Sequence, residues 1–298
     1  MAKQPKVVSG LQLWQWRYEA IQAAIASNVP PAEVDWLLQE IAGLDSLALR
    51  LESFKNWPQI QMEQPLEELE QLWQRRLDDR LPVQYIARVT PWRQFKIAVS
   101  NAVLIPRPET ECLIDLAVAA ASSMSGHWAD LGTGSGAIAL GLADVLPATI
   151  HAVDYSPEAL AIAQTNADNL GFADRIRFYQ GCWWEPLEFL KGEFSGMVSN
   201  PPYIPTSILP TLQPEVVNHE PRLALNGGAD GLDCIRHLIE ISPIYLQPGG
   251  VWLIEMMAGQ ADAVRELLQN QGSYCNIQIH ADLAGIERFA LAYISAKQ

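Results

Sequence analysis

Four consecutive residues, Asn200, Pro201, Pro202 and Tyr203, are well suited to hold a planar nitrogen atom for chemistry. They follow a short apolar run at 196–199, which predicts a strand that ends at Asn200. The Asn200 side-chain oxygen and the Pro201 carbonyl oxygen can accept the two hydrogens of an NH2 group, and the Tyr203 ring can lie against its plane. Two oriented carbonyl dipoles stabilise positive charge that develops on such a nitrogen, so no strong general base is required. We therefore interpret this segment, whose backbone the prolines make rigid, as a catalytic site for chemistry at an amide nitrogen.

A glycine-rich turn lies upstream, between an apolar run at 127–131 and helix-forming residues from Ala137 onward. Its candidate cofactor-binding residues are Asp130, Gly132, Thr133, Gly134, Ser135 and Gly136. Glycines permit a tight strand-to-helix turn and let a ligand approach the backbone closely. Asp154 ends the next apolar run, 20 positions after Gly134, where its carboxylate can accept hydrogen bonds from both hydroxyls of a ribose. Together the two features predict a site for a cofactor that contains a nucleoside.

The spacing of the glycines separates two kinds of cofactor. Dinucleotide-binding turns have the fingerprint G-x-G-x-x-G, whereas here the third glycine falls one position early. The sequence D-L-G-T-G-S-G at 130–136 instead resembles the motif of class I methyltransferases, which implies S-adenosylmethionine as the cofactor. In that superfamily the residues after the third strand line the adenine ring, so the resemblance gives Trp183 a stacking role; packing in the core is the alternative for this ring. Asn200 would contact the cofactor as well as the substrate.

Helices are predicted for most of residues 1–85. Apolar residues recur at three- and four-residue spacing in four stretches, at 10–28, 31–43, 45–53 and 65–79. We therefore expect a small helical domain at 1–85. Between 81 and 105 the apolar period changes to two, which predicts a β-hairpin, and we assign a linker between domains to 86–107.

From residue 108 to 298, helical stretches alternate with short apolar runs. The predicted helices are 108–122, 136–146, 157–170, 231–246 and 260–270, and the predicted strands are 127–131, 149–154, 175–180, 195–199 and 250–255. Such alternation predicts a parallel, doubly wound sheet. Two final runs, at 274–280 and 288–294, are too close for a crossover helix and predict an antiparallel hairpin. The expected fold class is α/β, a Rossmann-like class I methyltransferase domain that follows a small helical domain.

Further segments make the resemblance specific. They are L-I-P-R-P-E-T-E at 104–111, N-P-P-Y-I at 200–204, E-P-R-L-A-L-N-G-G-A-D-G-L at 220–232 and D-L-A-G at 282–285, together with Glu255 and Gln260. Over nearly its whole length the chain resembles the bacterial release factor glutamine methyltransferases. The resemblance implies N5-methylation of the glutamine in the Gly-Gly-Gln motif of a peptide chain release factor. It also implies that the helical domain contacts this protein substrate.

A few positions depart from the family pattern. Arg80 and Ala87 stand where the family commonly has glycine, and Cys182 replaces a usual aspartate. Ile286 and Glu287 replace a common Asn-Asp pair. The first two changes bear on the connection between the domains. Loss of the aspartate removes an acceptor for the adenine amino group, so it bears on cofactor affinity.

Composition argues against several other classes of protein. The four cysteines form no C-x-x-C pair and the five histidines no H-x-x-x-H pair, so we expect no metal site. The formal net charge is −14 and no block of Lys and Arg offsets it, which argues against stable binding to nucleic acid. No apolar run has the length of a membrane span, and the N-terminus lacks a signal-peptide pattern. We expect a cytoplasmic monomer with no membrane association.

Other functions stay open at the level of sequence. A ribosomal-protein glutamine methyltransferase would share the cofactor turn and the N-P-P-Y pocket and would differ chiefly in its N-terminal domain. An adenine-N6 nucleic-acid methyltransferase acts on an equally flat amino group, but it needs a basic face and a way to extrude the base. A non-catalytic protein could keep the fold as a scaffold, although the intact segment at 200–203 disfavours this.

Overall fold

The structure is a computed structural model, and it describes residues 6–121 and 125–296. These residues form two compact units. The first contains the described residues up to Val89 together with Gln213–His219, and the second contains those of Thr90–Leu212 and from Glu220 onward. The chain therefore returns to the first unit for one short segment before it completes the second.

Helices make up most of the first unit, as the apolar spacing predicts. In chain order its elements before residue 89 are β1 (Val7–Val8), α1 (Gly10–Ala26), α2 (Ala32–Ala42), α3 (Ser46–Leu51), β2 (Ile60–Gln61), α4 (Leu66–Asp78) and α5 (Val83–Ala87). Ser9 begins α1 through a capping box with Gln12, and the Asp45 side chain caps α3. In the core, Trp16 and Trp73 pack edge to face with ring centroids 6.3 Å apart.

Arg80 occupies a backbone conformation that suits glycine. Its φ angle is 61°, in the left-handed region, which explains the glycine that the family commonly has at this position. The Arg80 guanidinium donates hydrogen bonds to the carbonyl oxygens of Ser27 and Asn28, at 3.0 and 3.3 Å. The arginine thus satisfies carbonyl groups just beyond the end of α1 that helix geometry leaves without partners.

The β-hairpin is shorter than the sequence predicts. It consists of β3 (Val89–Trp92) and β4 (Phe95–Ala98), which pair in a two-stranded sheet. The prediction of strand periodicity from 81 to 105 was wrong at both ends, because α5 is helical and 99–107 contains no strand. In α5 the buried residues Val83 and Tyr85 alternate by two, so a single helical turn imitated a strand pattern. The predicted helix 108–122 begins as a 3-10 turn, and its last residue lies outside the described residues.

The second unit alternates strands and helices as predicted. The remaining elements are α6 (Cys112–Ala120), β5 (His127–Leu131), α7 (Ala137–Val145), β6 (Thr149–Asp154), α8 (Pro157–Leu170), β7 (Ile176–Gln180), β8 (Phe194–Ser199), α9 (Pro214–His219), α10 (Asp233–Tyr245), β9 (Leu246–Glu255), α11 (Ala261–Gln271), β10 (Tyr274–Ala281) and β11 (Glu287–Ile294). All but α9, which belongs to the first unit, are elements of the second. Across residues 6–121 and 125–296, no helix has both the length and the apolar character needed to cross a membrane.

Seven strands form the central sheet in the order β10-β11-β9-β8-β5-β6-β7. Strands β5 to β9 pair in parallel, while β11 runs antiparallel to both β9 and β10. The predicted class I methyltransferase fold with a C-terminal antiparallel hairpin is confirmed. The strand order reverses between β5 and β8, and in doubly wound sheets ligands bind at the carboxyl ends of the strands at such a point.

Close packing at this point depends on Gly196 in β8. A Cβ atom at Gly196 would lie 2.5 Å from Cζ3 of Trp128, a fully buried residue of the neighbouring strand β5. The glycine therefore lets the indole pack over β8.

Arg76 attaches α9 to the first unit. This residue is 5% exposed, and its Nη1 donates to Glu215 Oε1 at 2.7 Å. Its Nε and Nη2 donate to the two carboxylate oxygens of Glu33, at 2.7 and 2.9 Å. Paired charges of this kind tolerate burial, whereas removal of one partner leaves the others uncompensated. The sequence placed residues 214–219 in a long loop, because one short helix gives no clear periodicity.

Candidate active site

A cavity of about 710 Å³ lies at the carboxyl ends of β5, β6 and β8, within the size range of small-molecule and cofactor sites. Its lining includes the predicted site residues Gly132, Thr133, Gly134, Ser135, Asp154, Trp183, Asn200 and Pro202. The predicted site residues Asp130, Gly136, Pro201 and Tyr203 are not part of this lining. The structure therefore brings the glycine turn together with Asn200 and Pro202 of the N-P-P-Y segment at one cavity, although they are far apart in sequence.

Each glycine of the turn serves a different purpose. Gly132, Gly134 and Gly136 all have positive φ angles, of 77°, 55° and 84°. A Cβ atom at Gly136 would lie 3.1 Å from the Ala163 Cβ atom, so this glycine permits close packing against α8. At Gly134 a Cβ atom would meet nothing within 4 Å, so this glycine serves the backbone conformation on the cavity side. A Cβ atom at Gly132 would lie 3.4 Å from the Trp183 ring, which places that ring beside the turn.

Asp154 lies at the end of β6, directly against the turn. Its Oδ2 accepts a hydrogen bond from the Gly134 backbone N–H at 2.8 Å, and its Oδ1 accepts one from the Ser156 N–H at 2.9 Å. Burial raises the pKa of Asp154, while these N–H groups act in the opposite direction. Each oxygen keeps a further lone pair, so the carboxylate is held in place and can still accept a ligand hydroxyl.

Asp130 supports the turn from within the core. It is fully buried, and its Oδ2 accepts hydrogen bonds from Thr133 Oγ1 at 2.5 Å and from the Ala139 N–H at 2.9 Å. Among the described residues, its Oδ1 has no hydrogen-bond partner. Burial raises the pKa of this carboxyl to about 7. A buried, half-satisfied carboxyl of this kind destabilises a protein, so its presence points to a functional role.

The two adjacent tryptophans have different environments. Trp183 is half-buried, lines the cavity and has a positive φ angle of 52°. Trp184 is 1% exposed, and it stacks on Tyr245 with ring centroids 4.6 Å apart. Trp183 is therefore the ring available to a ligand, and Trp184 belongs to the core. Cys182, which departs from the family pattern, also lines the cavity, and burial raises the pKa of its thiol.

Hydrogen bonds connect both ends of the N-P-P-Y segment to one buried carboxylate. Asn200 Nδ2 donates to Thr110 Oγ1 at 3.3 Å, and Thr110 Oγ1 donates to Glu255 Oε2 at 2.6 Å. Tyr203 Oη donates to the other oxygen, Glu255 Oε1, at 2.9 Å. Glu255 is fully buried at the end of β9, and burial raises its pKa. The Tyr203 hydroxyl is thus bonded to the protein itself.

The loop at 226–231, which contains three glycines, packs tightly against the backbone of the N-P-P-Y segment. Ile204 and Asn226 form a parallel β-bridge, and Gln260 Nε2 donates to the Tyr203 carbonyl oxygen at 3.1 Å. A Cβ atom at Gly231 would lie 2.3 Å from that same carbonyl oxygen. The resemblance alone singled out residues 220–232, and the structure gives part of this segment a role, since it fixes the backbone path of the N-P-P-Y segment.

The segment at 104–111 carries an ion pair that sequence reasoning did not predict. Arg107 Nη2 lies 2.6 Å from Glu220 Oε1, and the Glu220 side chain is only 2% exposed. Burial raises the pKa of Glu220, and Arg107 acts in the opposite direction. Close by, Glu111 Oε1 accepts a hydrogen bond from the Arg93 N–H at 2.8 Å. Arg107 and Glu111 therefore have structural partners.

Asn166 is a supporting residue that the sequence analysis missed. It is 2% exposed on α8, and its Nδ2 donates to the carbonyl oxygens of Ser135 at 2.9 Å and Ala98 at 3.0 Å. Its Oδ1 accepts from the Ala98 N–H at 2.7 Å. A polar residue among the apolar positions of a predicted helix is the one signal that could have identified it.

The site fits S-adenosylmethionine. Gly134 leaves open space on the cavity side, Asp154 presents a fixed carboxylate, and Trp183 presents a ring. Among residues 6–121 and 125–296, no group of three or more His, Cys, Asp or Glu side chains could hold a metal ion. Together, the doubly wound sheet and this site define a class I methyltransferase that uses S-adenosylmethionine as its methyl donor.

Comparison with known proteins narrows the class. A family described as "Methyltransferase domain" matches residues 125–288. Curated relatives named release factor glutamine methyltransferase are 53% identical in Synechocystis sp., covering 96% of this chain and 97% of that protein, and 48% identical in Thermosynechococcus vestitus, covering 94% and 96%. The relative of the same name in Salmonella typhimurium is 35% identical and covers 92% of this chain and 95% of that protein. The chain belongs to the release factor glutamine methyltransferase family.

Solved structures agree on the fold. The hMettl16 catalytic domain is similar with a TM-score of 0.56 at 16% identity, covering 76% of this chain and 80% of that chain. A methyltransferase from Pyrococcus furiosus is similar with a TM-score of 0.52 at 15% identity, covering 68% and 91%. At such low identity the likeness concerns the fold alone.

Proposed function

We propose that the protein transfers a methyl group from S-adenosylmethionine to the side-chain amide nitrogen, N5, of the Gly-Gly-Gln glutamine in a peptide chain release factor. One observation carries this proposal: Asn200, a side chain suited to bind an amide, lines the same cavity as the glycine turn and Asp154. A cofactor and an amide can therefore meet in one place. The activity named for the relatives agrees with this chemistry.

The cofactor would be held by residues of the turn and its neighbours. Asp154 would accept hydrogen bonds from the ribose hydroxyls, Trp183 would lie against the adenine, and Asp130 would keep the turn in shape from below. Bound S-adenosylmethionine supplies a methyl group attached to a positively charged sulfur. Cys182 offers no carboxylate to the adenine amino group, so other partners must satisfy that group.

The protein's own task is to orient a poor nucleophile. An amide nitrogen is planar, and its lone pair is delocalised into the carbonyl group. The Asn200 side-chain oxygen and the Pro201 carbonyl oxygen would accept its two hydrogens and hold it facing the methyl donor. Both dipoles stabilise the positive charge that develops on nitrogen, and after methyl transfer one of the two hydrogens leaves as a proton. Tyr203 would place its ring against the planar amide.

The domain roles form part of the proposal. Residues 1–85 would recognise the release factor, 86–107 would link the domains, and 108–298 would carry the chemistry. Because release factors act with the ribosome, the enzyme would work in the cytoplasm. It would act as a monomer. The net charge of −14 supports a protein substrate over stable binding to nucleic acid.

A labelling experiment tests the proposal. The protein is incubated with methyl-labelled S-adenosylmethionine and a recombinant release factor, and in parallel with a release factor whose Gly-Gly-Gln glutamine is replaced by alanine. We expect label in the first and none in the second. Parallel incubations with ribosomal proteins and with adenine-containing DNA cover the alternative substrates. Label that persists in the alanine control, or that enters only an alternative substrate, would contradict the assignment.

A further inference from the structure

We propose that Thr110 and Glu255 are positioning residues that decide which way the Asn200 side-chain amide faces. The inference deepens the function proposed above and rests on it, because Asn200 matters here as the amide acceptor. It concerns two residues that contribute to catalysis only through Asn200 and Tyr203.

The single proton of the Thr110 hydroxyl limits the hydrogen bonds that this group can donate. A threonine hydroxyl has one proton, and Thr110 is 4% exposed at the wall of the cavity. Both oxygens of Glu255 accept from a hydroxyl group, Oε2 from Thr110 at 2.6 Å and Oε1 from Tyr203 at 2.9 Å. Two such hydrogen bonds stabilise the ionised carboxylate against its burial, and an ionised Glu255 only accepts hydrogen bonds. The proton of Thr110 is therefore committed to Glu255. Toward Asn200, Thr110 can only accept.

The orientation of Asn200 follows from this commitment. The two ends of an asparagine amide have nearly the same size, so packing alone does not select between them. With Nδ2 toward Thr110, the amide donates across 3.3 Å and its Oδ1 faces away from Thr110. In the reversed orientation two oxygen lone pairs would face each other, because the hydroxyl proton is already engaged. Glu255 thus selects, through Thr110, the orientation in which Oδ1 is free to accept from a glutamine NH2 group.

The second oxygen of Glu255 has a matching effect at the other end of the segment. Tyr203 Oη donates to Glu255 Oε1 at 2.9 Å, which fixes the plane of the ring. Glu255 is fully buried and terminates β9, the strand that pairs with β8. A single carboxylate on a rigid strand therefore orients both functional side chains of the N-P-P-Y segment.

Two threonine variants separate orientation from general damage to the fold. Thr110→Val keeps the shape of the side chain and removes the hydroxyl, whereas Thr110→Ser keeps the hydroxyl. We expect Thr110→Val to lower kcat by about 10- to 100-fold, the scale of a small misplacement of a catalytic group. The KM for the release factor and the Kd for S-adenosylmethionine should stay unchanged, and Thr110→Ser should recover most of kcat. Thr90→Val, at a buried threonine of β3 outside this network, is the matched control and should keep wild-type kcat.

A second measurement needs neither cofactor nor substrate. In the ligand-free, 15N-labelled protein, the Asn200 side-chain NH2 signal is identified by its absence in Asn200→Asp. Its hydrogens should exchange with water more slowly in the wild type and in Thr110→Ser than in Thr110→Val. Equal exchange in all three proteins, or a wild-type kcat in Thr110→Val, would overturn the proposal.

The two proposals fail in different ways. A wild-type protein that leaves the release factor unmethylated, yet shows the expected order of exchange rates, refutes the substrate and supports the positioning role. A Thr110→Val protein that loses kcat, release-factor KM and cofactor affinity together refutes the positioning role, even when the wild type is active.

Discussion

Replacing Asp130 by asparagine should stabilise the ligand-free protein at neutral pH. The asparagine side-chain oxygen can accept the same two hydrogen bonds, from Thr133 and Ala139, and the buried negative charge disappears. The asparagine NH2 group takes the place of Oδ1, which has no partner among the described residues, at a cost of about 1–3 kcal/mol that is smaller than the charge penalty at neutral pH. The pKa of Asp130 rises from its ordinary 3.8 to about 7 through burial. At about 1.4 kcal/mol for each pKa unit, ionisation of Asp130 costs the folded state up to about 4 kcal/mol.

Because burial raises the pKa of Asp130, its contribution to the free energy of unfolding depends on pH. Below about pH 4 the folded and unfolded chains both hold the proton, so Asp130 imposes no charge penalty. As pH rises from about 4 to about 7, the unfolded chain releases its proton first, and the wild type loses stability. Asparagine does not titrate, so the advantage of Asp130→Asn in free energy of unfolding should grow over this range and stay constant above it.

Urea unfolding of the wild type and of Asp130→Asn, at steps of about half a pH unit between about pH 4.5 and 8, measures the difference in their free energies of unfolding. Asp282→Asn is a control with the opposite environment, because the Ile286 N–H, followed by the Arg288 side chain, lowers the pKa of Asp282. Its effect on stability should stay flat over the same range, since Asp282 titrates below it. Parallel pH profiles for wild type and Asp130→Asn would refute the explanation by burial. Cofactor affinity should fall in Asp130→Asn, because a residue kept at a cost in stability serves function.

Three further substitutions test the site. Asn200→Ala should keep most of its affinity for S-adenosylmethionine and lose about two to three orders of magnitude in turnover, as expected for an oriented electrostatic partner; near-normal turnover would remove Asn200 from the mechanism. Asp154→Ala should weaken cofactor binding in calorimetry, and an unchanged Kd would exclude the ribose contact. Gly231→Ala should lower turnover by about 100-fold, because its Cβ atom would displace the Tyr203 carbonyl. Gly259→Ala, also at positive φ but with open space around it, is the control that should keep turnover, and equal losses in both glycine variants would point to backbone strain alone.

Local patterns reliably located most of the elements. The predicted strands at 127–131 and 149–154 match β5 and β6, and the run at 195–199 matches β8 to within one residue. Period-two and period-3.6 patterns succeed where one face of a long element is buried. They failed at 83–87 and at 214–219, where one or two helical turns are too short to show a period.

By itself, the sequence determined the fold class, the glycine turn, and the position of N-P-P-Y at the end of a strand. These features depend on neighbouring residues, through backbone sterics, turn chemistry and the alternation of apolar side chains. Only the tertiary structure decided which side chains support the site. The bond between Thr110 and Glu255 joins residues 145 positions apart, and Asn166 reaches Ser135 across 31 positions. No local pattern encodes such pairs, because a buried polar group selects its partner only once the strands and helices have packed.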